Sequence, residues 1–189
     1  MELPSQLFEM WAYHPQVMAS YAVHHESGEP LPAELAEKLT AASTFGQAFD
    51  TTEFLSAALV DQAWHRLGSH EIPTDVEEFE AAALNEFEIA HELVPPRYRS
   101  AYFAHTFGGG YDAGYYSYMW AEVLVGDLEN WFRTEAAKDG DGGLNREAGD
   151  TYRTELLAQG NARDPMESFV AVRGREPRAE ALLERRGLA

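Results

Sequence analysis

Three consecutive glycines, Gly108, Gly109 and Gly110, limit what this chain can fold into more than any other feature. Glycine alone enters the φ > 0 regions freely and leaves no side chain to hold an approaching backbone away. The triplet therefore predicts a loop that bends sharply and lies flat against something. His105 precedes it and four tyrosines follow it, in the stretch HTFGGGYDAGYYSY. Tyr111, Tyr115 and Tyr118 are spaced four and then three, which predicts that their phenols share one face of a helix while Tyr116 points elsewhere. A phenol titrates near pH 10, roughly, so each is an uncharged hydrogen-bond donor at neutral pH. Tyrosines at this spacing most often line the edge of a core. A flexible ribbon beside a row of donors also suits a peptide backbone whose carbonyl is about to gain negative charge.

Helical signals surround this stretch. Pro4 suits a first turn, with Leu7, Phe8 and Trp11 as an apolar stripe and Glu2 at the start. Pro15 opens a second helix to about His25, and Pro32 a third to about Ala42, with a turn over Ser27 to Pro32 between them. Phe45, Phe49, Leu55, Leu59, Trp64 and Leu67 predict a long amphipathic helix from Ser43 to Leu67. Asp75 to about Ala90 reads as another, with a solvated acidic face of Glu77, Glu78, Glu80, Glu86 and Glu88. Pro95-Pro96 breaks the pattern. Beyond it, Arg97 and Arg99 are either salt-bridge partners of an acidic helix or one of them a clamp for a substrate carboxylate. The tyrosine helix is expected to break near Gly126, with a short helix over Leu128 to Glu135 after it. Lys138 to Gly143 is a surface turn without the ligand spacing of a calcium loop. Asn145 caps a helix to Gln159 that Gly160 ends, and helices over about Pro165 to Val172 and Arg178 to Arg186 follow. No stretch alternates as a strand does, so the fold class is all-α.

Charge decides which partners are absent. Against 14 basic residues stand 32 acidic ones, a formal charge of −18, and such a surface repels phosphate backbones and anionic lipid. Neither nucleic acid nor a membrane is an expected partner. No cysteine is present, which removes disulfides and thiolate metal sites and fits a cytoplasmic setting. No apolar run approaches the roughly 18 residues of a membrane span, and the first residues lack the basic start and apolar core of a signal peptide. The 189 residues, 45% of them hydrophobic, suffice for one domain over 1–189 with a core of its own.

The segment HTFGGGYDAGYYSYMWAEVL resembles the glycine-rich loop and tyrosine segment of the thimet oligopeptidase and peptidyl-dipeptidase family of zinc metallopeptidases. ELPSQLFEMW at Glu2 to Trp11, PPRYRSAYFAH at Pro95 to His105, and RGREP with LLERRGL near the end also resemble that family, in the same order. The likeness runs end to end, and within the family it is nearest to the bacterial dipeptidyl carboxypeptidases. The resemblance implies a zincin-type catalytic domain of which this chain is a multi-helix C-terminal part. It implies that Glu2 is the third zinc ligand, at about 2.0–2.2 Å from the metal, with Gln6 and Glu9 candidates to orient it. Tyr118 would donate to the oxyanion, while His105, Gly109, Gly110, Tyr111 and Tyr115 would hold the substrate backbone. Without the resemblance, Glu2 reads as a solvated helix cap.

The family's HExxH signature sets two histidine ligands one helical turn apart around a general-base glutamate. The His-Glu pairs here read HESGE at His25, HEIPT at His70 and HELVP at His91, none with a second histidine at the fifth position. In the family the HExxH helix lies upstream of the glutamate ligand, so it is expected before Met1, and the two histidine ligands for the single zinc ion are expected from outside these residues. His24 and His25 are adjacent and face about 100° apart on a helix, a poor chelate. His65 beside Trp64 suits a satisfied core histidine. The expectation is zinc-dependent hydrolysis of short peptides, including release of C-terminal dipeptides, with the isolated chain inactive until joined to an HExxH half, which a separate partner chain can also supply. Two other readings stand beside it: a non-catalytic helical module that captures peptides in the tyrosine groove, and a gene fragment without a function of its own.

Overall fold

The computed structural model describes residues 2–138 and 140–188. They form ten α-helices with no strand among the described residues, so the all-α expectation holds. In order these are α1 (Glu2–Ala12), α2 (Pro15–Tyr21), α3 (Ala33–Ala42), α4 (Gln47–His65), α5 (Val76–Glu86), α6 (Ala104–Phe107), α7 (Ser117–Asn130), α8 (Arg146–Glu155), α9 (Pro165–Arg173) and α10 (Glu180–Arg185). Two compact units result, one of Met1–Phe45 with Trp120–Ala189, the other of Gly46–Met119.

In the first unit, Leu7 and Met10 of α1 are buried with Val125 and Leu128 of α7, Phe132, Tyr152 of α8, and Phe169 and Val172 of α9. The caps follow from residue type. The Asn145 side chain accepts from Ala148 N at 3.0 Å, Asp164 caps α9 ahead of Pro165, and Gly174 ends α9 in the left-handed region. Helix α2 stops at Tyr21 rather than at about His25, because the backbone turns back and Val23 bridges to Pro30. His24 then uses Nδ1 to accept from the backbone N–H of Glu26 and Ser27.

Gly126 does not break the helix. A Cβ there would lie 3.1 Å from Leu182 N and 3.2 Å from Ala181 C, so the missing side chain is what lets the α10 backbone lie against α7. The expected short helix after Leu128 is continuous with α7 and ends in a π-turn over Trp131–Glu135, where Ala136 N donates to Trp131 O at 2.9 Å. The turn from Lys138 to Gly143, in which Asp139 lies outside the described residues, is no mere surface feature. Gly143 O accepts from Trp11 Nε1 at 2.9 Å, and His14 Nε2 lies 3.1 Å from Asp141 O.

In the second unit, α4 begins at Gln47, so Phe45, expected on its apolar stripe, falls outside both helix and unit and is 88% exposed, while Phe49 is 43% exposed. Its buried face is instead built from small residues, Ser56, Ala57, Ala58 and Val60, together with Asp61. Against this face sit Phe103 and Tyr115, with Phe54, Tyr98 and Tyr118 around them. Helix α5 ends at Glu86 rather than at about Ala90. Its acidic face is solvated except at Glu80, which is 3% exposed. One Glu80 oxygen accepts from Ser100 N at 2.8 Å and Ser100 Oγ at 2.9 Å, and the other pairs with Arg99 at 3.1 Å. A buried carboxylate is tolerated only with its lone pairs filled in this way.

Candidate functional site

The segment from Pro95 to Tyr118 lies within the second unit. Leaving the proline pair, Arg97 N donates to Glu53 O at 3.0 Å, and its guanidinium reaches the Glu53 carboxylate at 3.4 Å and the Tyr115 phenol oxygen. Arg97 and Arg99 are thus each paired with a neighbouring acid, as the salt-bridge reading has it. Phe103 is 1% exposed and stacks on Tyr98 with centroids 5.3 Å apart. Helix α6 is a single turn, and Gly108, Gly109 and Gly110 follow it on the surface.

Geometry explains the glycines. A Cβ on Gly109 would stand 2.9 Å from Ala104 O and 2.9 Å from His105 Cα, backbone atoms that cannot move aside, while Gly110 has φ +80°. The ribbon folds back on α6 so tightly that Tyr111 N donates to His105 O at 3.0 Å. Only glycine permits this close approach and this dihedral.

The three phenols do not share a helix face. Helix α7 starts at Ser117, and residues 112–116 form a turn in which Ala113 has φ +52°. The turn nevertheless brings the expected rings together. Tyr111 and Tyr118 stack at 5.1 Å with an interplanar angle of 22°. The His105 ring lies 5.9 Å from Tyr111, 5.5 Å from Tyr115 and 6.1 Å from Tyr118. Tyr115 is 2% exposed, stacked on Phe54 at 4.8 Å, and burial pushes its phenol well above the usual range, with Tyr98 adding to the rise and Arg97 opposing it. It is a neutral donor seated behind the partly exposed His105, Tyr111 and Tyr118.

What holds the turn lies on α4. Asp61 is fully buried, and its Oδ1 accepts from Thr106 Oγ1 at 3.1 Å and Ala113 N at 3.1 Å, with His65 Nδ1 at 3.0 Å. Oδ2 accepts from Tyr115 N at 3.0 Å. Gln62 Nε2 donates to Ala113 O at 2.7 Å, so both backbone groups of the left-handed alanine are held. His65 is satisfied by Asp61 and stacks on Phe107 at 6.1 Å. Asp61 and Gln62 were not expected from the sequence. The available signal was an acid at i+3 and i+4 from Ala58 and Ala57, on a face otherwise free of charge.

Glu2 belongs to the other unit. It lies in the first turn of α1, where Ser5 Oγ donates to its carboxylate at 3.2 Å. Among the described residues no three His, Asp or Glu side chains converge on a point where a metal ion could sit. A catalytic zinc takes three protein ligands. One carboxylate does not supply that set, so the residues present do not make up a zinc site by themselves.

Residues 1–188 match the family model described as peptidase family M3. The chain is 46% identical over 187 residues to a dipeptidyl carboxypeptidase of Salmonella typhimurium, covering 99% of this chain and 27% of that protein. It is 45% identical over 187 residues to a dipeptidyl carboxypeptidase of Escherichia coli, again covering 99% of this chain and 27% of the relative. To oligopeptidase A of Escherichia coli it is 38% identical over 191 residues, covering 99% of this chain and 26% of that protein. The chain therefore spans about a quarter of the length of the curated relatives it matches. No helix among the described residues is long and apolar enough to cross a membrane. A match over nearly every residue, with identities far above the level of chance, makes this chain a member of peptidase family M3.

Proposed function

We propose that this chain is the substrate-holding part of a peptidase that hydrolyses short peptides, with release of C-terminal dipeptides as its preferred reaction. The observation that carries the reading is the convergence of His105, Tyr111 and Tyr118 beside an exposed glycine ribbon, in a chain related throughout to peptidases. An extended peptide lies along Gly109 and Gly110, where no side chain keeps its backbone away. His105 and Tyr111 hydrogen-bond it, and Tyr115 supports them from behind. As water attacks the scissile carbonyl, charge grows on its oxygen, and the Tyr118 hydroxyl donates to that charge. A donor fixed before the reaction does this without the reorganisation that solvent would require. Glu2 is one ligand of a zinc ion whose two histidine ligands come from an HExxH element, joined to this chain or carried by a separate one. The isolated chain is inactive, and cytoplasm is its setting.

The test is a chimera in which this chain replaces the matching quarter of the Salmonella relative. The expected result is release of C-terminal dipeptides. Tyr118→Phe should lower kcat by about 10²–10³ and leave KM nearly unchanged, the mark of an interaction made only in the transition state. Tyr111→Phe should instead act mainly through KM. A folded chimera that binds peptides without cleaving them would favour the reading as a non-catalytic peptide-binding module.

A further inference from the structure

We propose that Asp61 is a positioning residue of this site: its buried carboxylate sets the turn that brings His105, Tyr111 and Tyr118 together, and substrate turnover depends on it without its touching substrate. The inference rests on the peptidase reading above for its functional half. Its structural half stands on the hydrogen bonds alone.

Three of the groups Asp61 holds are spread along the site segment. Thr106 follows His105, Ala113 lies in the turn between Tyr111 and Tyr118, and Tyr115 is the buried tyrosine under them. One side chain thus ties both ends of the glycine ribbon to a single point on α4. Between the ties, Gly108 to Gly110 is exposed, so the position of His105 relative to Tyr111 and Tyr118 is determined at the tied ends. The grip on Ala113 matters most, because an alanine at φ +52° does not stay there unless its surroundings require it. Asp61 takes its N–H and Gln62 its carbonyl.

Carboxylate chemistry is specific here. Both Asp61 oxygens accept from backbone N–H groups, Ala113 on one and Tyr115 on the other. Asparagine has the same shape but can accept on one side only. Whichever way its amide turns, an NH₂ group faces one of those two N–H groups. Asp61→Asn therefore releases one side of the turn while keeping the packing of α4 nearly unchanged.

Two measurements decide it. In the chain itself, the amides of Ala113 and Tyr115 should be protected from hydrogen exchange, and Asp61→Asn should speed exchange at one or both by about 10- to 100-fold relative to the amides of α4 and α7. Gln62→Met, on a side chain only partly buried, should open the same amides to a smaller extent and serves if the asparagine variant does not fold. In the chimera, Asp61→Asn should lower kcat/KM about 10²-fold, the scale expected when catalytic groups are displaced by about 1 Å. Asp127→Asn in the other unit should melt earlier yet turn over normally below its melting temperature. Unchanged exchange at Ala113 and Tyr115 overturns the proposal. So does an Asp61→Asn chimera that melts early but turns over like the parent, since Asp61 is then an ordinary stabilising group. An inactive parent chimera sinks the peptidase reading instead, and leaves the amide exchange to decide the role of Asp61.

Discussion

Among the described residues each unit has one fully buried aspartate, and the two are used in opposite ways. Asp61 in the second unit is surrounded by two backbone N–H groups, a threonine hydroxyl and one histidine. Asp127 in the first unit faces two guanidinium groups: Arg173 Nε at 2.6 Å, and Arg175 Nη1 at 2.6 Å and Nη2 at 2.8 Å, with Arg178 N at 2.8 Å. Arg173 also pairs with Glu135. Backbone and hydroxyl donors hold a short loop in one conformation. Cations fasten helices, here α7 to the end of α9 and the segment after it. Burial raises the Asp127 pKa, but the hydrogen bonds from Arg175, Arg173 and Arg178 N outweigh it and hold the carboxyl below the usual range. The difference teaches that a buried carboxylate is a positioning device where backbone N–H groups of a loop dominate its partners and a fastening where guanidinium groups do.

The largest effect should come from Asp127. Asp127→Ala leaves Arg173, 4% exposed, with only half of its partners, and breaking a buried pair from one side typically costs about 3–5 kcal/mol. Urea unfolding of the chain should show a midpoint lowered accordingly. A loss below about 1 kcal/mol would mean that water or Glu135 compensates Arg173, and the contrast with Asp61 would fail.

Acid sharpens the same contrast. The folded-state pKa of Asp127 lies below its ordinary value of 3.8, so its stabilisation is fully present above that value and is lost as pH falls through it toward the folded pKa. The stability gap between the parent chain and Asp127→Asn should therefore be constant from neutral pH to about 5 and close below about 4. Paired urea titrations across that range check the sign. A gap that widened on acidification would show that the aspartate is not held ionised by the arginines.

What the sequence displayed, and what it hid, follows the range of the interactions. The cap at Asn145, the helix opened by Pro165 and the ribbon at Gly108 to Gly110 are local devices, decided within a few residues, and they read correctly or nearly so. The tyrosine cluster was legible as a cluster, but its helical spacing was coincidental: a turn through Ala113, not a helix face, brings Tyr111 to Tyr118. Asp61, Glu80 and Asp127 were illegible. Asp61 and Asp127 find their partners between 45 and 54 residues away, apart from His65 one turn on, and those of Glu80 lie 19 and 20 residues away. In a chain with 32 acids the uncharged face around Asp61 was the one local sign, and it named no partner. Gly126 failed for a related reason, since a glycine that admits a distant helix looks like a glycine that breaks its own.

The smallest effects give the finest test, because each aspartate has a left-handed residue beside its partners. Next to Asp127 it is Gly174, φ +78°, between Arg173 and Arg175, with nothing within 4 Å of where a Cβ would stand. Next to Asp61 it is Ala113, φ +52°. A non-glycine residue there costs roughly 1–2 kcal/mol, while glycine returns up to about 1 kcal/mol of that through the greater freedom of the unfolded chain. Ala113→Gly should therefore stabilise the parent chain by at most about 1.6 kcal/mol, and Gly174→Ala should destabilise it by a similar amount. The two substitutions also differ in what they report. Where Asp61 holds Ala113 against its preference, Asp61→Asn lets the turn relax, and Ala113→Gly then gains less than in the parent. A double-mutant cycle in urea measures that coupling. At Gly174 the dihedral comes from the helix end itself, so Asp127→Asn should leave the cost of Gly174→Ala unchanged. If Ala113→Gly gained as much without Asp61 as with it, the carboxylate would not be what keeps Ala113 left-handed, and the two aspartates would differ in partners but not in purpose.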